Sequence, residues 1–350
     1  MIFRTPSCYD TFRCIADKCK DNCCIGWEIE IDRATADRYH AVPGAFGDRL
    51  RSCIHFGETP YFIPTAQDRC PFLNADNLCD IITQLGEPSL CQICSDHPRF
   101  FEWFGTVKEG GLGLCCEEAA RLILTEPFKL VETEIPDEDC DLPDAVLFDC
   151  LTKAREEIFC ILQNGTVSAA LCRTLDFGEI MQEHTDNGSF ALPEKITEIP
   201  PENGNLPEIL TFLQTLEAID GSWHETLHDA CERIGDICGC RERFAKENPQ
   251  VSGYLRNIAI YFSWRYFLKG AFDGEFLSRV KLAAVSTAVI GCLYIKHWLE
   301  CGTLTLTDCA EIAKNYSKEI EYSEENLNAL LDAAYELPSM TSASLKGLLH

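Results

Sequence analysis

AVLFDCLTKAREEIFCILQ, residues 145–163, decides how most of this chain is read. Val146, Cys150, Ala154, Ile158 and Leu162 recur at every fourth position, which lays them along one side of a helix. Asp144 stands just ahead of them, where a carboxylate can accept the first free backbone N–H groups. The same style continues through LPEILTFLQTLEAI (206–219), ETLHDACERIGDIC (225–238), GYLRNIAIYFSWRYFLKGAF (253–272), SRVKLAAVSTAVIGCLYIKHWLEC (278–301), TDCAEIAKNYSKEI (307–320) and EENLNALLDAAYEL (324–337). Residues 145–350 are therefore predicted to form an α-helical bundle, and no repeat period suggests a solenoid.

Upstream the text is different. Short apolar pieces such as WEIEID (27–32) alternate with Gly, Pro and Asn turns and show little helical period. The fold class expected is thus mainly α, with an irregular, cysteine-rich N-terminal region followed by a helical bundle. VETEIPDEDCDLPD (131–144), dense in Asp, Glu and Pro, is the expected linker between residues 1–130 and 145–350, and a second low-hydrophobicity stretch runs from His184 to Pro207.

Of the chain's 22 cysteines, twelve lie in the first 116 residues, many at metal-ligand spacings. They occur in CIADKCKDNCC (14–24), CPFLNADNLC (70–79), CQIC (91–94) and the pair Cys115–Cys116. An even count would suit a disulfide framework, but three features oppose one. The start, MIFRTPSCYDTF, lacks the basic stretch, apolar run and small-residue cleavage site of a secretory leader, so a reducing cytoplasm is expected. A chain of 350 residues also buries a large core without covalent staples. Vicinal cysteines, finally, are awkward disulfide partners, whereas thiolates borne on separate loops suit a soft metal. From Cys140 onward the cysteines sit mostly among apolar neighbours and read as small buried hydrophobes, and Cys238-x-Cys240 has no partner pair beside it.

Spacing alone leaves the metal open. Zinc sites favour paired C-x₂-C knuckles, of which only Cys91–Cys94 is present, while the C-x₄-C-x₃-C-C run is closer to an irregular iron–sulfur cradle. The net charge of −26 excludes the basic footprint of a nucleic-acid binder and suits a lysine-rich or otherwise cationic partner. No apolar run approaches 18 residues, so no membrane span is expected.

The ordered set CIADKCKDNCCIGWEIEID (14–32), CPFL…LCDI, CSDHPRFFEWFG (94–105) and CCEEAARL (115–122) resembles the flagellin lysine-N-methylase family, which contains a cysteine-rich domain described as zinc- or iron-chelating. The resemblance is dense over residues 8–125. It implies a [4Fe–4S] cluster, with zinc the alternative, and methyl transfer from S-adenosylmethionine to lysines of flagellin or another lysine-bearing protein. By the motif matches Cys19, Cys23, Cys94 and Cys116 are the expected ligands, with Cys14, Cys24, Cys70 and Cys79 as further matched positions. Cys8, Cys53, Cys91 and Cys115 fall outside the matches.

Methyl transfer needs a neutral amine, so a carboxylate or tyrosine must take a proton and apolar walls must disfavour the ammonium. Asp32, Asp96 and Glu117 are the candidate bases, with Asp21, Glu28 and Glu118 nearby. Trp27 and Trp103 are candidate aromatic faces for a sulfonium donor, Arg99 a candidate partner for its carboxylate, and Phe100 and Phe101 further walls. His97 is expected to support a thiolate rather than bind metal. EGGLGL (109–114) lacks the strand–turn–helix frame of a dinucleotide-type donor site, so any donor pocket would be of another kind. Two non-enzymatic readings stand beside the methylase, a zinc- or iron-binding module and a redox Fe–S protein. A methyl-donor titration separates the first and a reversible cluster couple the second.

Overall fold

A strand, β1 (Ile2–Pro6), opens the chain, and helices α1 (Arg33–Ala41) and α2 (Gly44–Cys53) follow an irregular stretch. Two short strands, β2 (Ile54–His55) and β3 (Tyr61–Phe62), pair antiparallel ahead of the short helices α3 (Asp80–Leu85) and α4 (Gln92–Asp96). Next come β4 (Arg99–Phe104), β5 (Val107–Leu112), α5 (Glu117–Thr125) and β6 (Leu130–Glu134). The remainder is helical: α6 (Ala145–Gln163), α7 (Val167–Asp186), α8 (Leu206–Leu213), α9 (Trp223–Glu232), α10 (Ile234–Glu247) and α11 (Val251–Tyr266). It closes with α12 (Gly270–Asp273), α13 (Phe276–Cys301), α14 (Leu306–Glu321), α15 (Glu324–Glu336) and α16 (Ser342–Leu349). This computed structural model describes residues 1–26, 28–66 and 69–349, and the chain is mainly α.

Two compact units result: residues 12–100 with 116–118, here the thiol unit, and residues 1–11, 101–115 and 119–350, here the helical unit. This runs otherwise than the expected division into 1–130, 131–144 and 145–350. The cause is strand pairing. In the sheet order β4-β5-β1-β6, β1 lies parallel to β5 and antiparallel to β6, with Phe3 opposite Lys108 and Thr133. Residues 131–134 of the expected linker are thereby part of β6, and the first residues of the chain fold with the helices.

In the helical unit, Asp144 caps α6 as expected, accepting from the N–H groups of Val146 and Leu147 at 3.0 and 2.8 Å. The buried face of α6 is carried by Leu147, Cys150, Leu151, Ala154, Ile158 and Leu162, while Val146 is 60% exposed. The correction is geometric. A strict i, i+4 series advances about 40° per step on a helix of 3.6 residues per turn, so its first member rotates out of the face that its later members define. At the centre lies α13, buried along most of its length and long enough by length and composition to cross a membrane, yet 89% of its most apolar 18-residue window is buried within this protein. Where α6 and α11 meet the sheet, Arg155 donates to Glu109 at 2.7 Å and lies over Trp264 at 4.4 Å.

The thiol unit contains two helices, α1 and α2, that the sequence reading leaves as irregular. Each is short, and Gly44 and Gly47 dilute the pattern of α2. They form because Asp32 caps α1 and because Ala36, Tyr39 and Leu50 are buried against Ile29, Ile31, Phe62 and Phe72. Arg49 fastens this core from its edge, donating to Asp80 at 2.7 Å and to the Pro71 carbonyl at 2.6 Å.

Candidate metal centre

The cysteine-bearing loops are built by side chains that fold the backbone back on itself. In CPFLNADNLC, the Asn74 side-chain amide oxygen accepts from the N–H groups of Asp76 and Leu78, both at 3.0 Å, and Asn77 adopts a φ of 57°. Leu73 is thereby bridged to Cys79, and Cys70 and Cys79 stand at the two arms of one turn. The first loop is joined to the second by the Cys70 N–H, which donates to the Cys24 carbonyl at 2.8 Å. The third motif opens α4, with Cys91 at its N-cap position. Asp32 ties that turn to α1 by accepting from the N–H groups of both Thr35 and Gln92 at 2.9 Å.

Thiols from the three loops come within electrostatic reach of one another. Cys94 is pushed far up by its hydrogen bond to Cys91, by burial, and by the neighbouring thiols of Cys91, Cys24 and Cys70. Cys24 is raised in the same way by Cys23, burial, Cys70 and Cys79. Cys70 reaches about 11, chiefly through burial. Negative charge therefore concentrates on two members. Cys23 is lowered to about 5 by its hydrogen bond from Cys24 and by His97, and Cys91 is lowered by its hydrogen bond from Cys94. Apolar surroundings and crowded thiols oppose any further deprotonation unless a cation arrives to share the charge. Among the described residues, no three Cys, His, Asp or Glu side chains are grouped to hold a single metal ion.

The sequence candidates divide accordingly. Cys94 lies in the group with Cys24, Cys70 and Cys79, and Cys23 adjoins it through Cys24. Cys19 is held apart with Cys23 and Glu117 as its charged neighbours, its thiol raised to about 11 mainly by burial. Cys116 is half-buried at the start of α5, and Cys14 is exposed. Cys91, outside the motif matches, is the partner of Cys94. Its signal was its own C-x₂-C spacing. Cys53 packs at the edge of the same core. Cys8 and Cys115 belong to the helical unit, Cys115 buried near Arg265, Glu321 and Tyr322.

Among the candidate bases, Asp32 is an N-cap. Burial works to raise its carboxyl, but the N–H groups of Gln92 and Thr35 outweigh that and hold it below the ordinary value. Asp96 accepts from the Gln92 side chain at 2.9 Å, and Glu117 accepts from the Lys20 N–H at 2.9 Å. Asp21 offers its backbone carbonyl to the Cys19 thiol at 2.9 Å, and His97 supports Cys23. Arg99 lies over Phe12 at 5.3 Å. Trp103 belongs to the sheet of the helical unit and donates its indole N–H to Glu138 at 2.7 Å. Trp27 lies outside the described residues. A cavity in the helical unit lined by Cys8, Leu112, Ile123, Tyr261 and Trp264 measures about 40 Å³, room for a few water molecules and not for a nucleoside donor.

Comparison with known proteins rests on the helices. The sequence model described as "FliB lysine N-methylase C-terminal domain" matches residues 169–346, half of the chain. The chain belongs to the FliB lysine N-methylase family. Its matched segment begins in α7 and ends in α16, wholly inside the helical unit. The lysine-N-methylases of Salmonella typhimurium (strain LT2) and Salmonella choleraesuis are each 28% identical over 202 residues, which is 54% of this chain and 50% of theirs. The flagellar biosynthetic protein FliU of Salmonella muenchen is 31% identical over 131 residues, 35% of this chain and 76% of that protein. The chain thus spans about half the length of the two lysine-N-methylases it matches. No solved structure matches it.

Proposed function

We propose that this protein is a protein-lysine N-methylase that transfers a methyl group from S-adenosylmethionine to lysine side chains of flagellin, in the cytoplasm, with an iron–sulfur cluster held by the thiol unit. The family match over residues 169–346 carries the reading. The names of the relatives support it, two lysine-N-methylases and a flagellar biosynthetic protein. The charge balance of −26 supports a lysine-bearing partner over an anionic one.

The reaction is a displacement. The lysine ammonium gives its proton to a carboxylate or to water, the neutral nitrogen forms a bond to the donor methyl, and the carbon–sulfur bond breaks to leave a neutral thioether. Positioning and desolvation of the amine supply much of the rate. The thiols of this unit are soft donors that suit such a metal centre in kind, and Cys24, Cys70, Cys91 and Cys94, which lie within electrostatic reach of one another, join Cys19, Cys23 and Cys116 as its candidate holders, although none of the described thiols is grouped around a single ion position. Such a centre would order the loops that bear it and neutralise their thiolates.

Flagellin incubated with the anaerobically purified protein and the methyl donor should gain about 14 Da per event on lysines, faster as pH rises toward the ordinary lysine value of about 10.4. Metal analysis should find about four irons and four sulfides per chain. Unmodified flagellin recovered with metal-replete protein would sink the methylase reading and favour a metal-binding module. Zinc without sulfide would sink the cluster.

A further inference from the structure

One face of the sheet in the helical unit gathers Phe101 and Trp103, considered above as walls for a donor, with Phe3 around a lysine of this chain. Phe3 on β1 and Lys108 on β5 are register partners of a parallel pair, and Phe101 and Trp103 lie two residues apart on β4, the other neighbour of β5. A period of two puts both β4 rings on one side of the strand. Gly110, two residues beyond Lys108, leaves them room. A Cβ there would sit 2.8 Å from the Phe3 ring and 3.4 Å from Phe101.

The three rings form a row with successive centroids 6.2 Å apart. The Lys108 ammonium lies 6.0 Å from the centroid of Phe3, 5.0 Å from Phe101 and 4.6 Å from Trp103. Glu138 closes the side that the rings leave open, accepting from Lys108 at 2.9 and 3.0 Å and from the Trp103 indole at 2.7 Å. Those hydrogen bonds hold its carboxyl below the ordinary range. Its own segment, residues 135–144, has no helix or strand, whereas the rings are carried by strands.

Aromatic faces around a cation with one carboxylate are the chemistry that recognises an alkylated ammonium, because the rings attract diffuse positive charge while the carboxylate takes a remaining N–H. We propose that Phe3, Phe101 and Trp103, closed by Glu138, form a receptor for a mono- or dimethylated lysine side chain of a partner protein, with Lys108 as the internal occupant that such a side chain displaces. The ligand class rests on the lysine chemistry of the proposed function. The site itself does not, since it is read by binding alone.

The test titrates the full chain with Nα-acetyl-Nε,Nε-dimethyllysine amide, following tryptophan fluorescence and calorimetric heat. Lys108→Ala empties the site and should bind the probe about tenfold more tightly than the native chain, the scale of one cation–π contact. The neutral Nε-acetyllysine analogue should not bind, and Trp103→Ala added to Lys108→Ala should abolish binding. If Lys108→Ala loses the native circular dichroism, Lys108→Thr, a better strand former, likewise removes the internal cation and opens the rings, and should show the same gain. Equal binding by the native chain and the folded Lys108 variant, or equal binding of the neutral analogue, would overturn the receptor. Loss of methyl transfer with binding intact would instead overturn the proposed function alone.

Discussion

The thiol unit and the helical unit are ordered by different means. Around α13 the helical unit buries residue after residue at or near full depth, among them Leu282, Val285, Val289 and Ile290. The thiol unit has a smaller core in which cysteines take places that larger apolar residues fill elsewhere, and its loops are held by polar staples from Asp32, Arg49 and Asn74. A Cys side chain buries less apolar area than Leu or Ile, so a core built with several of them supplies less hydrophobic stabilisation. The crowding of Cys24, Cys70 and Cys94 raises each thiol further. The contrast is between a unit stabilised chiefly by close packing and one whose thiols oppose ionisation until a cation joins them.

The sharpest way to break that contrast is to remove the thiols. Structural metal sites contribute on the order of 10 kcal/mol or more, comparable to a domain's whole stability margin. Replacing Cys24 and Cys94 with Ser in metal-replete protein should therefore expose residues 12–100 to limited proteolysis while the helices of 145–349 keep their protection. Uniform protection of both would show that packing suffices in the thiol unit as well.

Next in size is the buried ion pair of the helical unit. Arg155 and Glu109 are each 3% exposed. Arg155→Ala leaves a buried carboxylate unpaired and should cost about 3–5 kcal/mol by chemical denaturation, whereas Arg155→Met with Glu109→Leu should cost far less. Similar losses for the single and double variants would mean that shape, not charge, is what the pair supplies. Ile290→Ala, fully buried in α13, should follow with about 2–5 kcal/mol from lost burial and the cavity left behind. A cost under about 1 kcal/mol there would place the core elsewhere.

The two units also differed in how openly the sequence declared them. The long helices were legible because a 3.6-residue period repeats over several turns, as in α6, and because the long apolar stretch of α13 leaves little room for another element. Asp144 was legible because a cap acts locally. The sheet was not, since β1 pairs with β5 about a hundred residues away, and a five-residue strand carries no signal of a partner that distant. The cysteine motifs were plain, but which thiols meet depends on the turn that Asn74 and Asn77 impose and on the backbone bond between Cys24 and Cys70. Trp103 and Phe101 stood out as aromatic walls. Their arrangement around Lys108 was hidden because it draws on three strands. The family resemblance was carried by the cysteines, whereas the family match falls on α7 to α16, where the sequence offers no quotable motif.

The smallest expected effect tests whether a staple of the thiol unit works by shape or by charge. Asp32 accepts from Thr35 at the start of α1 and from Gln92 at the start of α4. Asp32→Ala should cost about 1 kcal/mol at neutral pH, the usual scale for losing an N-cap. Asp32→Asn keeps an acceptor in place and should cost only a few tenths of a kcal/mol. The pH dependence separates the two roles. The folded carboxyl lies below its ordinary value, so the stabilisation from its charge is fully present above the unfolded value of about 3.9 and is lost as pH falls through the lower folded one. Denaturation of the native chain between about pH 4 and pH 2 should therefore show an acid-side loss that Asp32→Asn lacks. If the native chain and Asp32→Asn lose stability in parallel over that range, the staple is a neutral hydrogen bond, and its charge contributes nothing to holding the third cysteine loop beside the first two.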